Sequence, residues 1–590
     1  MTTTASQRAG QVRRALPGLS LLLGYPRAWL RHDVVAGLVL TTLLVPQGMA
    51  YAELAGLPPI TGLYTTAMAL LTYSLCGPSR VLVLGPDSSL GPIIAATIAP
   101  LVVAGNAQQA VAYASVLALM VGGLTMAAGL LRLGFVADLL SRPTQLGYMN
   151  GLALTILVSQ LPKLCGFSVD ADGLLPEARA FVQGVASGDV VAIALVVGVA
   201  SLAVILVFQR FLRAVPGVLV AVVLSIAAVR LLDLTSHGVS VVGAMPQGFP
   251  PLTIPTVPAD DLPLLAAGAL GIAVVSLTDT ISTASVFAQR FGAEIDGNRE
   301  MVGVGAASLA AGLFQGFPVS TSGSRTAVAV QNGARSPLAS LVGVLGVVAM
   351  LLFAPGLLKD LPQPALAAIV IAASLSLVDL RGLARLRRLR TSEFVLALAA
   401  FLGVAVLGVL PGIGIAVVLS ILNVFRHAWW PHQAVLGRAD TVYGFHDLAF
   451  HAEVEHLPGL ALYRFDAPLL FVNARSFREE VRRLAGTTPR PRWLVVAAEP
   501  ITDIDTTAAD MLAALDRELA EAGTRLVFAE LKDAVRRKIE RYELVDALDP
   551  GRYHPTVRAA VEAYESQTGT AWVPGPGPYR LEGPPTSSVR

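Results

Sequence analysis

The chain has 590 residues, 54% of them hydrophobic and 14% charged, with a mean hydropathy of +0.65 and a net charge of +2. A soluble domain carries about 25% charged residues, so a wholly water-soluble chain is excluded. The near-zero net charge excludes the strongly basic profile of a nucleic-acid binder. Two cysteines, Cys76 and Cys165, lie far apart in or beside apolar segments and read as small core residues, not as a disulfide or metal site.

Residues 1–33 read as a cytoplasmic N-terminal segment with Arg8, Arg13, Arg14, Arg27 and Arg31. They contain no uninterrupted apolar run of the signal-peptide kind, and "LSLLLGYPRAWL" reads as interfacial. Long apolar runs then follow up to about residue 430. A helix needs about 20 apolar residues to cross a bilayer core. Candidate spans are 34–54, 60–76, 88–104, 109–131, 145–161, 189–208 and 216–232, then 262–287, 300–316, 322–333, 336–355, 364–379, 393–410 and 412–430. The expectation is an α-helical membrane domain of 14 spans, arranged as seven plus seven, over 34–430.

Charge placement supports that count. If the N-terminus is cytoplasmic, cytoplasmic regions hold eighteen Lys and Arg residues, among them Arg80, Arg142, Arg213, Arg335 and the cluster Arg381–Arg390. The opposite side holds four, Lys163, Arg179, Arg230 and Lys359, together with Asp170, Asp172, Glu177, Asp260 and Asp261. That bias is the positive-inside pattern, and an even span number returns the chain to the cytoplasm at Trp429 and Trp430, an interfacial anchor. The expected location is the cell inner or plasma membrane, multi-pass, with both termini inside.

Two spans begin badly for helices. "VLVLGPDSSLGP" (Val81–Pro92) precedes the third apolar segment, and "GFPVSTSGSRTAV" (Gly316–Val328) precedes the tenth. Proline removes an N–H and disfavours helix in the residue before it, so each stretch reads as an extended strand breaking into a helix. Three and ten are equivalent positions in two seven-span halves. Paired interruptions of this kind point to an inverted-repeat transporter site, and two helix starts at mid-membrane favour an anion. The competing reading is an ordinary proline kink in each helix.

Asp279 lies deep in the eighth span, in "VVSLTDTISTASVFAQR", where an acid costs about 2.5–3.5 kcal/mol on insertion scales. Three readings stand together: a proton carrier, a Na⁺ ligand with Thr283 one turn on, or a structural partner of Arg325. Asp87, at the third half-helix, reads as a cap or as a neutral hydrogen-bond donor; its role is open.

From about residue 440 charge returns at normal density and the pattern becomes short strands and amphipathic helices. "ALYRF", "PLLFVNA", "WLVVAA" and "TRLVFAE" read as strands, and "AADMLAALDRELAEAG" as an amphipathic helix ending at Gly523. The domain reading is a linker at 431–439, an α/β domain at 440–568 and a Pro/Gly-rich tail at 569–590. No phosphate-binding loop, zinc spacing or nucleophile triad is present, which argues against an enzyme.

The blocks "PQGMAYAELAGLPPITGLY" and "FPVSTSGSRTAV", with "DVVAGLVLTTLL", "FGAEIDGNREMVGVGAASL" and the α/β tail, resemble the SulP family of anion permeases over nearly the whole chain. The resemblance implies a seven-plus-seven inverted repeat with core and gate domains and a cytoplasmic STAS domain, often in a homodimer. It implies transport of an inorganic oxyanion, sulfate first, with H⁺ or Na⁺ coupling and no cofactor beyond that possible Na⁺. Carried over residue by residue, Gln47 and Tyr51 reach the substrate, Ser322, Gly323 and Ser324 offer N–H and hydroxyl donors, Arg325 supplies positive charge, and Ser88 and Ser89 do the equivalent in the first half. Gln47 and Tyr51 otherwise form a helix contact, and Arg325 otherwise pairs with a carboxylate. In "DIDTTAAD", Thr507 matches the position phosphorylated in related STAS proteins, although Ala508 replaces the usual glycine and a plain helix cap is the favoured reading of the motif. Alternatives of function are a bicarbonate or dicarboxylate symporter, an uncoupled channel or exchanger, and a membrane-tethered sensor with the STAS domain as output. The same fold serves nucleobase permeases, but the tail and the "SGSR" half-helix argue against that substrate.

Overall fold

The structure is a computed structural model that describes residues 16–103, 105–134, 141–169, 171, 173–212, 215–291, 294–439, 442–451, 454–542 and 550–581. Arg8, Arg13, Arg14, Asp170, Asp172, Arg213 and the end of the tail therefore lie outside the described residues. The chain divides into two compact units, Met1–Ser420 and Ile421–Arg590.

The first unit is helical. Its first half runs α1 (Pro17–Leu23), α2 (Leu30–Leu54), α3 (Pro59–Cys76), the two-residue strand β1 (Leu84–Gly85), α4 (Gly91–Ile98), α5 (Ala107–Leu130), α6 (Arg142–Leu164), α7 (Leu174–Ser187), α8 (Ala192–Phe211) and α9 (Gly217–Leu231). Its second half runs α10 (Leu262–Arg290), α11 (Gly297–Leu313), β2 (Ser320–Thr321), α12 (Gly323–Gln331), α13 (Leu338–Phe353), α14 (Pro355–Leu358), α15 (Gln363–Leu375), α16 (Leu380–Leu389), α17 (Thr391–Leu407) and α18 (Val409–Trp429), the last continuing into the second unit. Every apolar segment proposed as a span contains a helix. Among the described residues, six helical stretches are long and apolar enough to cross a membrane by length and composition: Arg27–Leu54, Ala107–Leu130, Ala192–Phe211, Ala259–Gln289, Gln363–Leu389 and Val409–Arg426.

Small residues set the helix packing. Between apolar helices in lipid no hydrophobic gain remains, so association rests on close backbone approach and dispersion. A Cβ on Gly62 of α3 would sit 1.9 Å from the Gly48 carbonyl of α2. A Cβ on Gly122 of α5 would sit 2.7 Å from the Gly305 carbonyl of α11, and the reverse contact is 2.8 Å. Gly147 of α6 meets the Ala397 carbonyl of α17 at 1.9 Å in the same sense. Each crossing admits only glycine.

Two helices were not expected from the apolar runs. α7 is amphipathic rather than uniformly apolar and ends at Gly188 with φ +85. α16, LRGLARLRRL, carries most of the arginine cluster; its side chains are mainly exposed.

The second unit is an α/β layer structure. Its strands are β3 (Gln433–Ala439), β4 (Val442–Asp447), β5 (Val454–His456), β6 (Leu460–Phe465), β7 (Trp493–Ala497), β8 (Arg525–Ala529), β9 (Tyr553–His554) and β10 (Val573–Pro574). The sheet order is β10-β5-β3-β6-β7-β8-β9, with β4 paired to β3. β6 to β9 are parallel, and β3 joins antiparallel to β6 with Val435 opposite Tyr463. Strand side chains alternate faces. Ala461, Tyr463, Phe465, Leu494, Val496, Leu526 and Phe528 therefore pack beneath α19 (Ala474–Ala485), α20 (Thr506–Glu521) and α21 (Asp533–Arg541). Leu460, Leu462, Trp493, Val495 and Val527 pack on the other face with Val557, Ala560, Val561 and Tyr564 of α22 (Val557–Thr568).

Three expectations change here. Residues 431–439 are not a bare linker, because most of them form β3 inside the sheet. The expected tail contributes β10, paired with β5. "PLLFVNA" is not a strand: Leu469 makes one isolated bridge to Ile504, then the Asn473 side chain accepts from the Leu470 N–H at 2.9 Å and turns the chain into α19.

Candidate functional site

The two proline-interrupted stretches meet. β1 and β2 pair antiparallel, with Leu84 opposite Thr321 and Gly85 opposite Ser320. The Ser322 N–H donates to the Val83 carbonyl at 3.0 Å, and the Val83 N–H donates to Thr326 Oγ1 at 3.1 Å. Each extended segment thus satisfies backbone groups of the other, as a non-helical chain inside a membrane protein must. The strand in the second half persists to Thr321, past Pro318, and the helix starts only at Gly323 with Ser322 as N-cap residue. In the first half the turn begins at Asp87, whose carbonyl accepts from Leu90 N–H and Gly91 N–H, each at 3.2 Å, and α4 follows. α4 is shorter than the expected span at 88–104, ending in a 3₁₀ turn at Ala99–Leu101.

A cavity of about 630 Å³ opens against these two helix starts. Gln47 and Tyr51 of α2, Ser88 and Ser89 before α4, Asp279 and Thr283 of α10, and Ser322, Gly323, Ser324 and Arg325 of α12 all line it. Residues up to 278 positions apart in sequence are therefore gathered in one place, from Gln47 to Arg325. The Gln47 Oε1 atom is buried without a partner. Tyr51, Ser88, Ser89 and Ser322 are buried, whereas Gly323 and Ser324 are open to the cavity.

Arg325 is fully buried. Its Nη2 donates to the Pro86 carbonyl, across the β1–β2 crossing, while its Nε and Nη1 are buried without partners. Gly85 leaves room for it: a Cβ there would lie 3.1 Å from Arg325 Nη1, and Gly85 holds φ +151, a conformation side-chain-bearing residues rarely take. The carboxylate near Arg325 is Asp87, with Nη2 to Oδ2 at 3.8 Å. The direct ion pair considered between Arg325 and Asp279 is not formed; Asp279 instead meets Ser89, whose Oγ lies 3.0 Å from Asp279 Oδ2.

Ser89 also closes back on Asp87. Its N–H donates to Asp87 Oδ1 at 3.1 Å, and its Oγ lies 2.9 Å from the same oxygen. Asp87 therefore accepts the Ser89 N–H within the turn that precedes α4, while the helix itself starts after Leu90 without a side-chain cap. Ser322 and Ser324 hydroxyls lie 3.1 Å apart, so the second helix start has its own hydroxyl pair.

Sequence reasoning passed over Ser282, Thr321, Gln331 and Asn332, which also line the cavity. Helical spacing would have found two of them: Ser282 is three residues beyond Asp279, and Gln331 lies seven beyond Ser324, each pair on one helix face. It also passed over Glu300, buried at the start of α11, which accepts from Tyr73 Oη at 2.6 Å and from Ser79 Oγ. Those two donors satisfy that carboxyl away from the cavity.

In the second unit Thr507 is exposed on the first turn of α20. Asp505 is the N-cap: it accepts from Ala508 N–H at 2.8 Å and from Phe471 N–H at 2.7 Å.

The sulfate permease family matches residues 30–400, and the STAS domain matches residues 451–560. A probable sulfate transporter of Mycobacterium tuberculosis is 40% identical over 549 residues, covering 93% of this chain and 98% of the relative. Probable sulfate transporter 3.4 of Arabidopsis thaliana is 28% identical over 568 residues, 91% of this chain and 85% of the relative. Among solved structures, murine Solute Carrier 26 family member A9, an anion transporter, superposes with a TM-score of 0.86 at 23% identity, covering 94% of this chain and 95% of the other. The transmembrane domain of a cyanobacterial bicarbonate transporter, BicA, superposes with a TM-score of 0.58 at 21% identity, covering 67% and 98%. At those identities the likeness is one of fold: a helical membrane transporter fold with a C-terminal STAS domain. With the family matched over most of its length and a relative at 40% identity over nearly all of it, the chain belongs to the sulfate permease family, a family of transporters rather than enzymes.

Proposed function

We propose that this protein is a secondary active transporter of an inorganic oxyanion, sulfate first, working by alternating access. The observation that carries the reading is the buried guanidinium of Arg325, with two unpartnered N–H-bearing nitrogens, set between two helix starts that line one cavity. A helix start presents unpaired N–H groups and the positive end of a dipole, and two such ends with an arginine favour an anion. In this reading Gln47, Tyr51, Ser88, Ser89, Ser322, Gly323, Ser324 and Arg325 bind the anion, and Asp279 with Thr283 serves the coupling H⁺ or Na⁺. The names of the relatives, sulfate transporters in two organisms, point the same way.

The same proposal takes the fourteen helical segments as two inverted sets of seven in an inner or plasma membrane, with both termini cytoplasmic. The eighteen-to-four Lys/Arg bias supports that orientation. Two copies form a homodimer, and Thr507, exposed beside the α20 cap, is the regulatory position of the STAS domain.

The deciding experiment is uptake of radiolabelled sulfate into proteoliposomes under separate H⁺ and Na⁺ gradients. Concentrative sulfate uptake under one of them is expected. Bicarbonate uptake in its place would overturn the sulfate assignment, and sulfate flux that never exceeds equilibration would make the protein an uncoupled exchanger or channel.

A further inference from the structure

The charged side chains lining the cavity, among the described residues, are Asp87, Asp279 and Arg325. One cation faces two acids. Arg325 stands 3.8 Å from Asp87 and pairs with that carboxylate. No such partner meets Asp279, which reaches Ser89 instead. If both acids were ionised the buried cluster would carry an uncompensated negative charge, at great cost in a medium of low dielectric and beside an anion site.

Ser89 makes the count sharper. Its Oγ lies 2.9 Å from Asp87 Oδ1 and 3.0 Å from Asp279 Oδ2. A hydroxyl carries a single hydrogen. It can donate to one carboxylate only, and the other contact is then a hydrogen bond only if that carboxyl brings its own proton. Without one, two oxygen lone pairs would face each other at 3.0 Å. Asp87 already accepts from the Ser89 N–H and pairs with Arg325, which marks it as the ionised member. The chain then reads from the Asp279 carboxyl O–H to Ser89 Oγ, and from the Ser89 O–H to Asp87 Oδ1.

We infer that Asp87 and Asp279 hold a single proton between them through the Ser89 hydroxyl, and that this shared proton is the ion whose binding admits the anion. The inference rests on the cavity being the anion site and deepens that reading by naming the coupling ion and a second acid. Other polar groups facing the pair are Tyr51 from α2, Ser322 at the start of α12, which hydrogen-bonds Asp87, and Tyr148 and Gln145 from α6, the latter hydrogen-bonding Asp279; none of them is a cation. With the proton in place the three charged side chains sum to zero, and the unpartnered Nε and Nη1 of Arg325 remain to answer a substrate anion. With the proton lost, the added carboxylate charge expels it. Proton and anion therefore raise each other's affinity, which is the thermodynamic content of symport.

The test uses the full-length protein in liposomes with Asp87→Asn, Ser89→Ala and Asp279→Asn. Infrared spectra at neutral pH should show a carboxylic-acid C=O band in wild type that disappears in D279N. It should disappear in D87N as well, although Asp279 is still present, because Arg325 then balances Asp279 and the amide introduced at position 87 donates to Ser89. It should shift in S89A. A pH gradient should drive sulfate accumulation in wild type, and that accumulation should be lost in D87N. A carboxylic-acid band that survives in D87N, undiminished pH-driven accumulation in D87N, or accumulation driven by Na⁺ alone without pH dependence would each overturn the shared proton. If wild type carries no sulfate, the substrate reading fails, and the infrared comparison still decides the proton.

Discussion

The guanidinium of Arg325 donates to the carbonyl of Pro86, so a side chain from α12 holds the backbone that leads into α4. The crossing of β1 and β2 brings them together, and Gly85 makes the space.

Gly85→Ala should disturb both. The added methyl would press on Arg325 Nη1 and force an alanine to φ +151, a strain of about 1–3 kcal/mol. We expect a lower melting temperature and loss of sulfate-dependent thermal stabilisation. Unchanged stabilisation by sulfate would separate Arg325 from the anion site.

Arg325→Lys should not rescue Arg325→Ala. A lysine is a point charge on a flexible stem and lacks the planar fork that spans Pro86 and the cavity together. Sulfate affinity should fall at least about tenfold, equivalent to about 1.4 kcal/mol, in either variant. Isothermal titration of purified protein measures it.

Asp33 at the start of α2 is fully buried and accepts from Tyr25 Oη at 2.9 Å, Arg335 N–H at 2.7 Å, Ser336 N–H at 3.3 Å and Ser336 Oγ at 2.7 Å. It ties α2 to the chain between α12 and α13. Asp33→Ala strands the two buried Ser336 donors and releases the half-buried Tyr25 hydroxyl and the Arg335 N–H, and each buried unsatisfied group costs about 1–3 kcal/mol. Thermal unfolding should show a loss of more than about 2 kcal/mol, and Asp33→Asn should be milder because its carbonyl keeps part of the set.

In the STAS unit, Asp505→Ala removes the cap of α20 and the acceptor of Phe471 N–H, so it should cost about 1 kcal/mol or more. Thr507→Ala, at an exposed neighbouring position, should stay within about 0.5 kcal/mol. Chemical denaturation followed in that unit distinguishes the two. A large loss in T507A would make Thr507 structural instead of regulatory.

Asp516 provides a pH test outside the membrane. Burial raises its carboxyl above the ordinary range, with Arg552 opposing from its Nη1 contact to Asp516 Oδ1. Because the folded state binds the proton more tightly than the unfolded chain, ionised Asp516 weakens folding. Stability gained by protonation should appear as pH falls through the raised value and level off near the unfolded value of about 3.9. Relative to Asp516→Asn, wild type should therefore gain melting temperature as pH falls through that window; a difference independent of pH would contradict the shift.

Much of this was legible in advance because the membrane restricts what a chain can do. Apolar length marks spans, and Pro86 and Pro318 mark the places where helix must stop. Asp279 and Arg325 could be singled out because charged groups in such segments need a reason, whereas Gln47, Tyr51 and Ser89 came from the resemblance to the family; the structure gathers all five around one cavity. α7 was hidden because its amphipathic face has no long apolar run, and β3 because Gly437 and Arg438 interrupt a strand that only the sheet stabilises.

The positions of the breaks and the long apolar segments follow from local rules: chain stereochemistry, hydrophobic length and the cost of unpaired backbone in lipid all act within a few residues. Which acid stands beside Arg325 could not follow from them. Asp87 is 238 residues away and Asp279 only 46, yet the arginine pairs with the distant one and Ser89 links the two acids. That choice depends on two extended strands crossing in register, Leu84 against Thr321, and on a glycine thin enough to let a guanidinium through. Long-range pairing of this kind is a property of the packed fold, because it is settled by where backbones meet and not by how near the residues lie along the chain.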